Sequence, residues 1–353
     1  MKNILSAAVL FFTIINYCTA QTLSPKRSYD AVCIGFYNLE NLFDTIVDPD
    51  ANKILQADFT PEGSKKFDTE RYYEKLGNLS KVIADLGTET TPDGPAVLGV
   101  CEIENLQVLQ DLVAMPLIKD RNYQIIQFDS PDKRGIDVAL LYQEKYFKPT
   151  DSYAIPLKDP ENADFFTRDQ LVVSGILGGE EFHFIVAHWP SRRGGAEASE
   201  PKRKLAASLG RELITEIQKK SPDAKVIYMG DLNDDPDDAS LKEVMITEGN
   251  YSEVEDGDLY NPMEIMHAAG TGSLEYRGDW FLYDQFICTS NLVDHKNKFA
   301  TYKFYKAEVH DVALLKQATG KYQGTPFRTY GGRKWLGGFS DHFPIYMYLV
   351  KTK

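Results

Sequence analysis

The sequence predicts an α/β fold, in which one domain of mixed β-sheets is faced by helices. The first observation is composition: of 353 residues, 43% are hydrophobic and 26% are charged, as in a globular chain with a sizeable core. The second is that strand-like and helical segments mix along the whole chain, without a linker or an internal repeat. The third is Gly178-Gly179 between two strand-like runs, which is typical of an antiparallel hairpin and disfavours a purely parallel sheet.

The first 20 residues are typical of an export signal and are set apart from the fold. Lys2 supplies a short positive region, residues 4–15 are almost entirely apolar, and the segment ends in small residues at Ala20. The apolar run is short for a transmembrane helix, although an N-terminal anchor is the alternative, and the residue before Cys18 is too bulky for lipid attachment. We expect a signal peptide cleaved near Ala20, an exported (periplasmic or extracellular) single domain of residues 21–353, and no stable membrane insertion.

Twelve segments predict the regular elements in chain order. Nine match the strand pattern of apolar, β-branched and aromatic residues, at 31–39, 96–101, 123–128, 137–142, 171–177, 181–187, 225–231, 280–288 and 343–350. Residues 70–86 and 202–219 place leucines and isoleucines on one helical face, and 105–115 is a weaker helix. Residues 47–68 and 148–169 are expected to form long surface loops.

Cysteine use and net charge exclude several classes of protein. Cys33, Cys101 and Cys288 each lie within an apolar run, and their number and spacing match no disulfide framework or zinc site, so buried free thiols are expected. The formal net charge is −13, and removal of Lys2 makes it 38 − 52 = −14 for the mature chain. This charge disfavours extended non-specific binding to a polyanion, while a nuclease with a locally basic or metal-filled cleft remains compatible with it.

Five short segments end apolar runs with acid, amide or imidazole groups. They are NLEN (38–41), VCEIE (100–104), VAHWP (186–190), MGDLNDDP (229–236) and FSDHFP (339–344). Strand ends that face the same way converge at one edge of a sheet, so these side chains are expected to meet. Carboxylates and amides without thiolates suit a hard cation, Mg²⁺ or Mn²⁺, and Ca²⁺ shares this preference. Two neighbouring histidines suit proton transfer during phosphate ester hydrolysis.

Each segment taken alone also fits a structural role. Asn38 suits a turn, Glu102 suits the start of a helix, and His188 suits a hydrogen-bonded structural position. Residues 231–238 imitate the start of an EF-hand loop, but Pro236 stands where that loop requires glycine, which leaves a solvated acidic turn as the alternative. The five segments in this order are harder to explain by structure alone.

Together the segments resemble the endonuclease/exonuclease/phosphatase superfamily, which includes pancreatic-type deoxyribonuclease, abasic-site endonucleases, sphingomyelinases and inositol polyphosphate phosphatases. The matching stretches are FYNLENLFD from Phe36, LGVCEIEN from Leu98, VAHWPSRRGG from Val186, MGDLNDDP from Met229, YDQFICTS from Tyr283 and FSDHFPIY from Phe339. The Gly-Asp-x-Asn and Ser-Asp-His-x-Pro stretches, in this order, are the diagnostic part. The resemblance implies a four-layered α/β sandwich, with two mixed, mostly antiparallel β-sheets packed face to face and helices outside, as in deoxyribonuclease I.

The resemblance also implies a metal site and a site for the attacking water. The implied metal ligands are Asn38, Glu40, Glu102 and Asp341, with Glu102 as the principal one. Asp231 and Asn233 resemble the pair that holds the attacking water and a phosphate oxygen. A divalent cation at Glu102 would neutralise phosphate charge and stabilise the leaving oxygen.

Two histidines complete the implied catalytic set. His342 resembles the catalytic histidine and is oriented by Asp284. His188 resembles the histidine that contacts the scissile phosphate, acts in its protonated form and has Asp137 as its carboxylate partner. Either the His342–Asp284 pair or Asp231 takes the proton of the attacking water.

The sequence therefore predicts an exported, metal-dependent phosphoric ester hydrolase, foremost an endonuclease that cleaves nucleic-acid phosphodiesters by in-line water attack. Arg192 and Arg193 directly follow the His188 segment, where they either bind substrate phosphate or form a solvated loop. The alternatives are a phospholipid (sphingomyelinase-like) or small phosphoester hydrolase, for which residues 335–339 are the candidate apolar rim, and a non-catalytic binding protein. No protein partner is predicted.

Overall fold

The structure is a computed structural model that describes residues 23–24, 26–50 and 52–353. The predicted export segment, residues 1–20, lies outside the described residues. In the described part of the chain, no helix combines the length and apolar character needed to cross a membrane.

A six-stranded mixed sheet carries the N- and C-terminal strands at its centre. Its strands, in the order in which they pair, are β14 (Lys303–Val309), β17 (Ile345–Thr352), β1 (Tyr29–Leu42), β2 (Pro95–Ile103), β4 (Asp137–Gln143) and β3 (Tyr123–Gln127). Only β1 and β2 pair in parallel, and every residue of β2 is buried. The near-continuous apolar sequence of β2 follows from cover on both faces.

A seven-stranded sheet contains most of the second half of the chain. Its pairing order is β5 (Phe147–Ile155), β6 (Gln170–Leu177), β7 (Glu180–His188), β8 (Lys225–Asp231), β13 (Asp284–Thr289), β10 (Leu259–Tyr260) and β9 (Thr247–Glu248). The turn between β6 and β7 has φ of +55° at Gly178 and +89° at Gly179. Two successive left-handed residues define a tight hairpin turn, so the predicted hairpin is confirmed.

Helices and two small hairpins surround the sheets. The helices are α1 (Thr69–Asp85), α2 (Leu106–Val113), α3 (Ala196–Lys220) and α4 (Met263–Ala268), and the hairpins pair β11 (Leu274–Tyr276) with β12 (Asp279–Phe281) and β15 (Tyr330–Gly331) with β16 (Lys334–Trp335). Asp68 caps α1 by accepting a hydrogen bond from the Arg71 amide. Asn105 caps α2 in the same way, and such caps satisfy amides that have no partner within the helix.

Alternation along β7 shows how the layers are built. Phe184 packs in the core that fills the space between the two sheets and extends beneath α1 and α2. Its neighbour Ile185 points to the opposite face and packs with Ile214 of α3 in a second core. The order helices, sheet, sheet, helix confirms the predicted α/β class and four-layered sandwich.

Three predicted boundaries are wrong. The predicted strand 280–288 is interrupted at residues 282–283: its first part belongs to β12 of a small hairpin, and its second part belongs to β13 of the seven-stranded sheet. Helix α3 begins at Ala196 rather than at residue 202, with Pro201 inside it, because Ser199 and Arg203 bond the carbonyl of Ala196 and brace the first turns. The predicted loop 148–169 contains most of β5, which pairs with β6 alone. An edge strand tolerates proline and charge because one side of its backbone needs no partner, so its sequence carries a weak strand signal.

Candidate active site

Polar residues from both sheets meet where β1, β2, β7 and β8 end. His188 at the end of β7 pairs with Asp231 at the end of β8, and Asp231 pairs in turn with Asp284 at the start of β13. The Asn38 amide of the other sheet donates to Asp231 Oδ2 at 3.0 Å. Because the two sheets pack face to face, these ends form one buried polar centre.

Backbone conformation aims several of these side chains. Glu40, Asn41, Glu102 and Asn233 all have positive φ, between 48° and 59°. The pairing register is interrupted near residue 40 of β1 and at residue 102 of β2, so both strands end in irregular turns. Left-handed backbone costs a residue with a side chain about 1–3 kcal/mol, and such strain collects where side chains are held for function.

Asp231 occupies the middle of the site. Its Oδ2 accepts from Asn38 and lies 3.6 Å from His188 Nε2 and 3.9 Å from His342 Nε2. Its Oδ1 accepts from the Asn233 amide at 3.0 Å. Burial raises the pKa of Asp231 to about 7, with His342 opposing that rise and the charge of Asp284 adding to it.

His342 and Asp284 form a buried acid–imidazole pair. His342 Nδ1 lies 2.6 Å from Asp284 Oδ2, and the Ser273 hydroxyl donates to the same oxygen at 2.5 Å. Asp284 Oδ1 is buried and has no hydrogen-bond partner among the described residues. Burial alone would lower the pKa of His342, but the carboxylates of Asp284, Asp231 and Asp341 together outweigh burial, so that pKa stands well above the usual value and the imidazolium form is favoured.

His188 has the opposite electrostatics, and its surroundings disfavour the protonated form that was predicted for it. Burial lowers the pKa of His188 well below the usual value, and the positive charges of Arg168 and Arg134 lower it further. Arg168 also donates to the carbonyls of His188 and Trp189, which fixes the end of β7. His188 Nε2 lies 3.6 Å from Asp231 Oδ2, which is beyond hydrogen-bond distance.

Asp137 is not brought to His188, so its predicted role as the partner of that histidine is wrong. The Asp137 carboxylate accepts from the Ser130 amide at 2.9 Å, the Ser130 hydroxyl at 2.6 Å and the Gln127 amide at 2.7 Å. His188 Nδ1 is buried without a hydrogen-bond partner in the described part of the chain. Asp137 therefore holds the loop before β4.

Glu102, the predicted principal metal ligand, is held by two groups of the chain. Its Oε2 accepts from the Asn41 amide at 2.9 Å. Its Oε1 lies 3.1 Å from Nη2 of Arg134, a residue that the sequence analysis did not select. Both left-handed residues, Asn41 and Glu102, thus face each other across the β1–β2 pair.

Glu40 and Asp341 gather around Arg328 instead. The Glu40 carboxylate accepts from the Thr329 amide at 2.6 Å, and burial raises the pKa of Glu40 to about 7. Arg328 bonds Asp341 at 2.5 Å and lies 3.7 Å from Glu40. Buried Lys75 donates to the Glu40 carbonyl at 2.8 Å, so this acidic pair is balanced by two cations.

The donor set fits a hard divalent cation that keeps part of its water shell. Over residues 23–24, 26–50 and 52–353, no three His, Cys, Asp or Glu side chains are grouped so that they would hold a metal ion by themselves. Glu102 and Asp231 supply buried carboxylates within electrostatic reach of each other, and the Asn38 amide oxygen accepts one hydrogen bond, from the Glu40 backbone at 2.9 Å. Mg²⁺ is commonly held by one or two carboxylates together with waters and phosphate oxygens, so Glu102, Asn38 and Asp231 suit Mg²⁺ or Mn²⁺ better than a closed cage would.

Arg192 braces the loop that carries Asn233. Its Nε donates to the Asn233 carbonyl at 2.9 Å, Nη2 donates to Asp234 at 3.0 Å, and the guanidinium lies 4.8 Å from the Tyr283 ring centroid. The side-chain amide of Asn233, as distinct from its backbone N–H, donates to the Trp189 carbonyl at 3.0 Å. Arg193 is exposed. A phosphate contact from either arginine stays a prediction.

Five residues that were not predicted from the sequence also contact site residues: Arg134, Arg168, Lys75, Arg328 and Ser273. Arg134 and Arg168 lie just before β4 and β6, which run antiparallel to a neighbour. The start of an antiparallel strand lies beside the end of its neighbour, so basic residues there were a usable signal.

One protein-family model matches nearly all of the described chain. Residues 33–351 match the model described as the endonuclease/exonuclease/phosphatase family. The chain belongs to the endonuclease/exonuclease/phosphatase family. It is therefore an enzyme of the phosphoric ester hydrolase class.

Solved structures agree with the family fold. Humanized D. rerio TDP2 with 14 mutations has a TM-score of 0.54 and 14% identity, covering 90% of this chain and 98% of that one. D. rerio TDP2 complexed with a single-strand DNA product has a TM-score of 0.53 and 14% identity, covering 90% and 98%. A mannosyl-6-phosphatase of Bacteroides thetaiotaomicron VPI-5482 has a TM-score of 0.51 and 16% identity, covering 90% and 99%. No curated protein matches the sequence.

In this family member, a groove opens beside Asp341, the residue before His342. It encloses about 820 Å³ and reaches Asp341 and Arg328. Its walls carry aromatic and basic side chains: Tyr276, Trp280, Tyr322, Arg277 and Lys321. Trp280 stacks on Phe343, the residue after His342, at 6.0 Å between ring centroids. The groove wall is thus packed directly against the catalytic segment.

Proposed function

We propose that the protein is an exported, divalent-metal-dependent phosphodiesterase that hydrolyses nucleic-acid phosphodiesters, as an endonuclease, by in-line attack of water. The observation that carries the reaction type is the convergence of the His342–Asp284 pair, His188 and Asp231 around one buried oxygen, with Glu102 and Asn38 beside it. Membership of the family supports the same chemistry.

Each site residue has a separate role in the proposed hydrolysis. When bound at Glu102, a divalent cation would neutralise phosphate charge and stabilise the leaving oxygen. Asp231 takes the proton of the attacking water, because the raised pKa of His342 makes that imidazole a proton donor in its pair with Asp284. Neutral His188 donates from Nε2 to a phosphoryl oxygen, and Asn233 positions the water beside Asp231.

The groove supports nucleic acid as the substrate class. Stacking on Trp280, Tyr276 and Tyr322 would hold bases, and Arg277 and Lys321 would meet flanking phosphates, which is the usual design for single strands. The D. rerio TDP2 structure with a single-strand DNA product is consistent with such a substrate on this fold. Local basic groups explain how a chain of net charge −13 would hold an anionic strand.

The phospholipid alternative loses its main support. The candidate apolar rim at 335–339 is largely covered: Phe339 is buried, and Trp335 packs on Phe67 and Tyr330. A small sugar phosphate is the other candidate, because a mannosyl-6-phosphatase shares the fold.

A substrate panel tests the proposal. The mature chain is assayed with Mg²⁺ on a single-stranded oligonucleotide, a supercoiled plasmid, sphingomyelin vesicles, mannose 6-phosphate and bis(p-nitrophenyl) phosphate. We expect the oligonucleotide and the plasmid to be cleaved fastest and EDTA to abolish cleavage. Preferred hydrolysis of mannose 6-phosphate or sphingomyelin would overturn the substrate class, and full activity in EDTA would overturn metal dependence.

Export is tested separately. The positive residue, apolar run and small residues of segment 1–20 support cleavage near Ala20. The protein purified from its native host should therefore begin at Gln21, as read by N-terminal sequencing. An intact Met1 in a membrane fraction would contradict a cleaved signal.

A further inference from the structure

Arg134 is paired with Glu102, the carboxylate that would bind the metal in the proposed function. Its Nη2 is 3.1 Å from Glu102 Oε1 and 2.9 Å from Asn41 Oδ1. The second Glu102 oxygen accepts from the Asn41 amide at 2.9 Å. A guanidinium of this chain therefore neutralises the carboxylate that a divalent cation would need.

The backbone of Arg134 is fixed, while its side chain is accessible. The Arg134 amide donates to Asp132 Oδ1 at 2.8 Å, and the other Asp132 oxygen is paired with buried Arg168 at 3.0 Å. The side chain of Arg134 is 30% exposed, against 6% for Arg168. The guanidinium is thus able to leave Glu102 without rearrangement of the loop that carries it.

Arg134 also lies within electrostatic reach of the phosphate-facing histidine. Its charge is among those that lower the pKa of His188. A divalent cation at Glu102 would repel a guanidinium that lies 3.1 Å from the same carboxylate, since like charges this close repel strongly in a partly buried site. The side chain would then point its fork of N–H donors, which matches phosphate geometry, toward the centre of the site.

We infer that Arg134 is a further catalytic residue: it occupies Glu102 until a divalent cation displaces it, and it then binds the scissile phosphate. This inference rests on the proposed function, because it takes Glu102 as the metal ligand. It predicts that replacement of Arg134 tightens metal binding but slows catalysis. Replacement of a residue with a structural role alone would weaken both metal binding and catalysis.

The first experiment measures metal binding without substrate. Mg²⁺ is titrated into the mature protein by calorimetry, and Mn²⁺ binding is followed by electron paramagnetic resonance. Arg134→Gln removes the competing cation, so both ions should bind about tenfold more tightly. Arg134→Lys keeps the charge and should stay near wild type. Arg211→Gln is the matched control. It also replaces an arginine by glutamine, but Arg211 lies in α3 and donates to the Met245 carbonyl rather than to a carboxylate of the site.

The second experiment measures catalysis at saturating Mg²⁺ with bis(p-nitrophenyl) phosphate as the probe. Arg134→Gln should lower kcat/KM by about a hundredfold, as for other single electrostatic donors to a transition state, and Arg134→Lys should restore part of that loss. Arg211→Gln should leave kcat/KM unchanged. Melting temperatures confirm that each variant is folded.

The outcomes separate this inference from the proposed function. If Glu102→Gln binds Mg²⁺ as well as wild type, the metal site itself is misplaced and the proposed function fails. If Glu102→Gln loses Mg²⁺ binding while Arg134→Gln shows unchanged or weaker binding, only the role of Arg134 is overturned. The binding measurement needs no turnover, so it decides this point for any substrate.

Discussion

At the scale of single residues, the site depends on carboxylates that are buried yet individually neutralised. Buried Glu102 is paired with Arg134, buried Asp284 with His342, and half-buried Asp341 with Arg328. A buried charge without a partner costs several kcal/mol, so each pair removes a penalty that the fold alone would carry. Replacement of one partner therefore tests function only when the substitute keeps the hydrogen bonds.

Glu102→Gln keeps the shape of the side chain and the hydrogen bond from Asn41, although its NH2 group replaces the oxygen that accepts from Arg134. The amide oxygen still accepts from the Asn41 amide, while the charge that attracts a cation is lost. We expect Mg²⁺ affinity to fall at least about tenfold and turnover to fall with it, because carboxylate charge supplies most of the attraction for a hard cation. Calorimetry and turnover at limiting Mg²⁺ measure both effects.

Exposed Glu161 supplies the control for that substitution, since Glu161→Gln removes the same charge from a surface loop. The control should match wild type in metal binding and in turnover. Both variants should melt within a few degrees of wild type. Near wild-type turnover of Glu102→Gln at limiting Mg²⁺ would remove Glu102 from the metal role.

The catalytic pair should behave as one unit. His342→Ala is expected to lower turnover by about 10²–10⁴-fold, the usual range for loss of a positioned proton-transfer group. Asp284→Asn should stay folded and bind metal but also lose turnover, because an amide would support the wrong imidazole tautomer at a distance of 2.6 Å. The double variant should lose little more than His342→Ala alone.

Turnover per folded molecule, with melting temperature alongside, decides whether the pair acts together. Fully additive losses would show that Asp284 and His342 act independently. If Asp284→Asn lowered the melting temperature but left turnover per folded molecule intact, Asp284 would be a structural residue that ends a buried strand.

At the scale of elements, the strands were predictable because their sequences carry the signal locally. The parallel pairs β1–β2 and β7–β8 are apolar nearly throughout and end in polar groups, so both their positions and the convergence of Asn38, His188 and Asp231 followed from sequence. Strand β5 is an edge strand with proline and charge, and its sequence gave little indication of pairing.

The partners of the site residues were less predictable, because they are set by contacts between distant segments. Asp137 was expected beside His188, but residues 127–130 reach its carboxylate first. Arg328 reaches Asp341 from a loop whose course depends on the hydrogen bonds that Glu40 makes with Thr329 and Tyr330. Neither contact follows from local periodicity, because both depend on how the loops close over the sheet edge.

The β11–β12 hairpin carries a prediction of its own. Trp280→Ala should raise KM for a single-stranded oligonucleotide about five- to a hundredfold, because stacking contributes about 1–3 kcal/mol per base. Metal binding should be unchanged, since Trp280 contacts Phe343 rather than a carboxylate. Steady-state kinetics on the oligonucleotide and calorimetry with Mg²⁺ measure the two effects.

Two further variants sharpen the measurement. Trp280→Phe keeps an aromatic face and should recover most of the affinity. Tyr73→Ala removes an exposed aromatic side chain from α1, outside the groove, and should leave KM unchanged. Equal KM values for wild type and Trp280→Ala would show that the groove does not stack bases.

At the scale of the whole molecule, charge is distributed unevenly. The chain carries 52 acidic and 39 basic side chains, yet Arg277, Lys321, Arg328 and Lys65 line the two adjoining cavities around Asp341. These four basic side chains outnumber the three acidic ones in the same lining, Glu275, Glu40 and Asp341, so this face is less acidic than the chain as a whole and more favourable to an anionic substrate. Some of the acidic side chains are buried on folding. The raised pKa values of these buried carboxyl groups make the stability of the protein depend on pH.

Asp137 is the clearest of these carboxyl groups. Burial raises the pKa of Asp137 to about 7, although the Ser130 hydroxyl and amide oppose the rise. An unfolded aspartate has a pKa of about 3.9, so the folded protein binds more protons at Asp137 between about pH 4 and pH 7. The stability that Asp137 contributes is therefore fully present below about pH 4 and is lost as pH rises through about 7.

Asp137→Asn should remove that loss. The asparagine oxygen accepts from Ser130, and its amide group faces Gln127, whose own amide turns to accept the hydrogen bond. Relative to wild type, the free energy of unfolding of the variant should increase as pH rises from 4 to 8, by about 2–4 kcal/mol at one pKa unit per 1.36 kcal/mol. The histidines with lowered pKa are common to both proteins, so their opposite contributions cancel in the difference. Urea denaturation at pH 4, 6 and 8 in EDTA measures this difference, and parallel curves would show that Asp137 stays ionised in the folded protein.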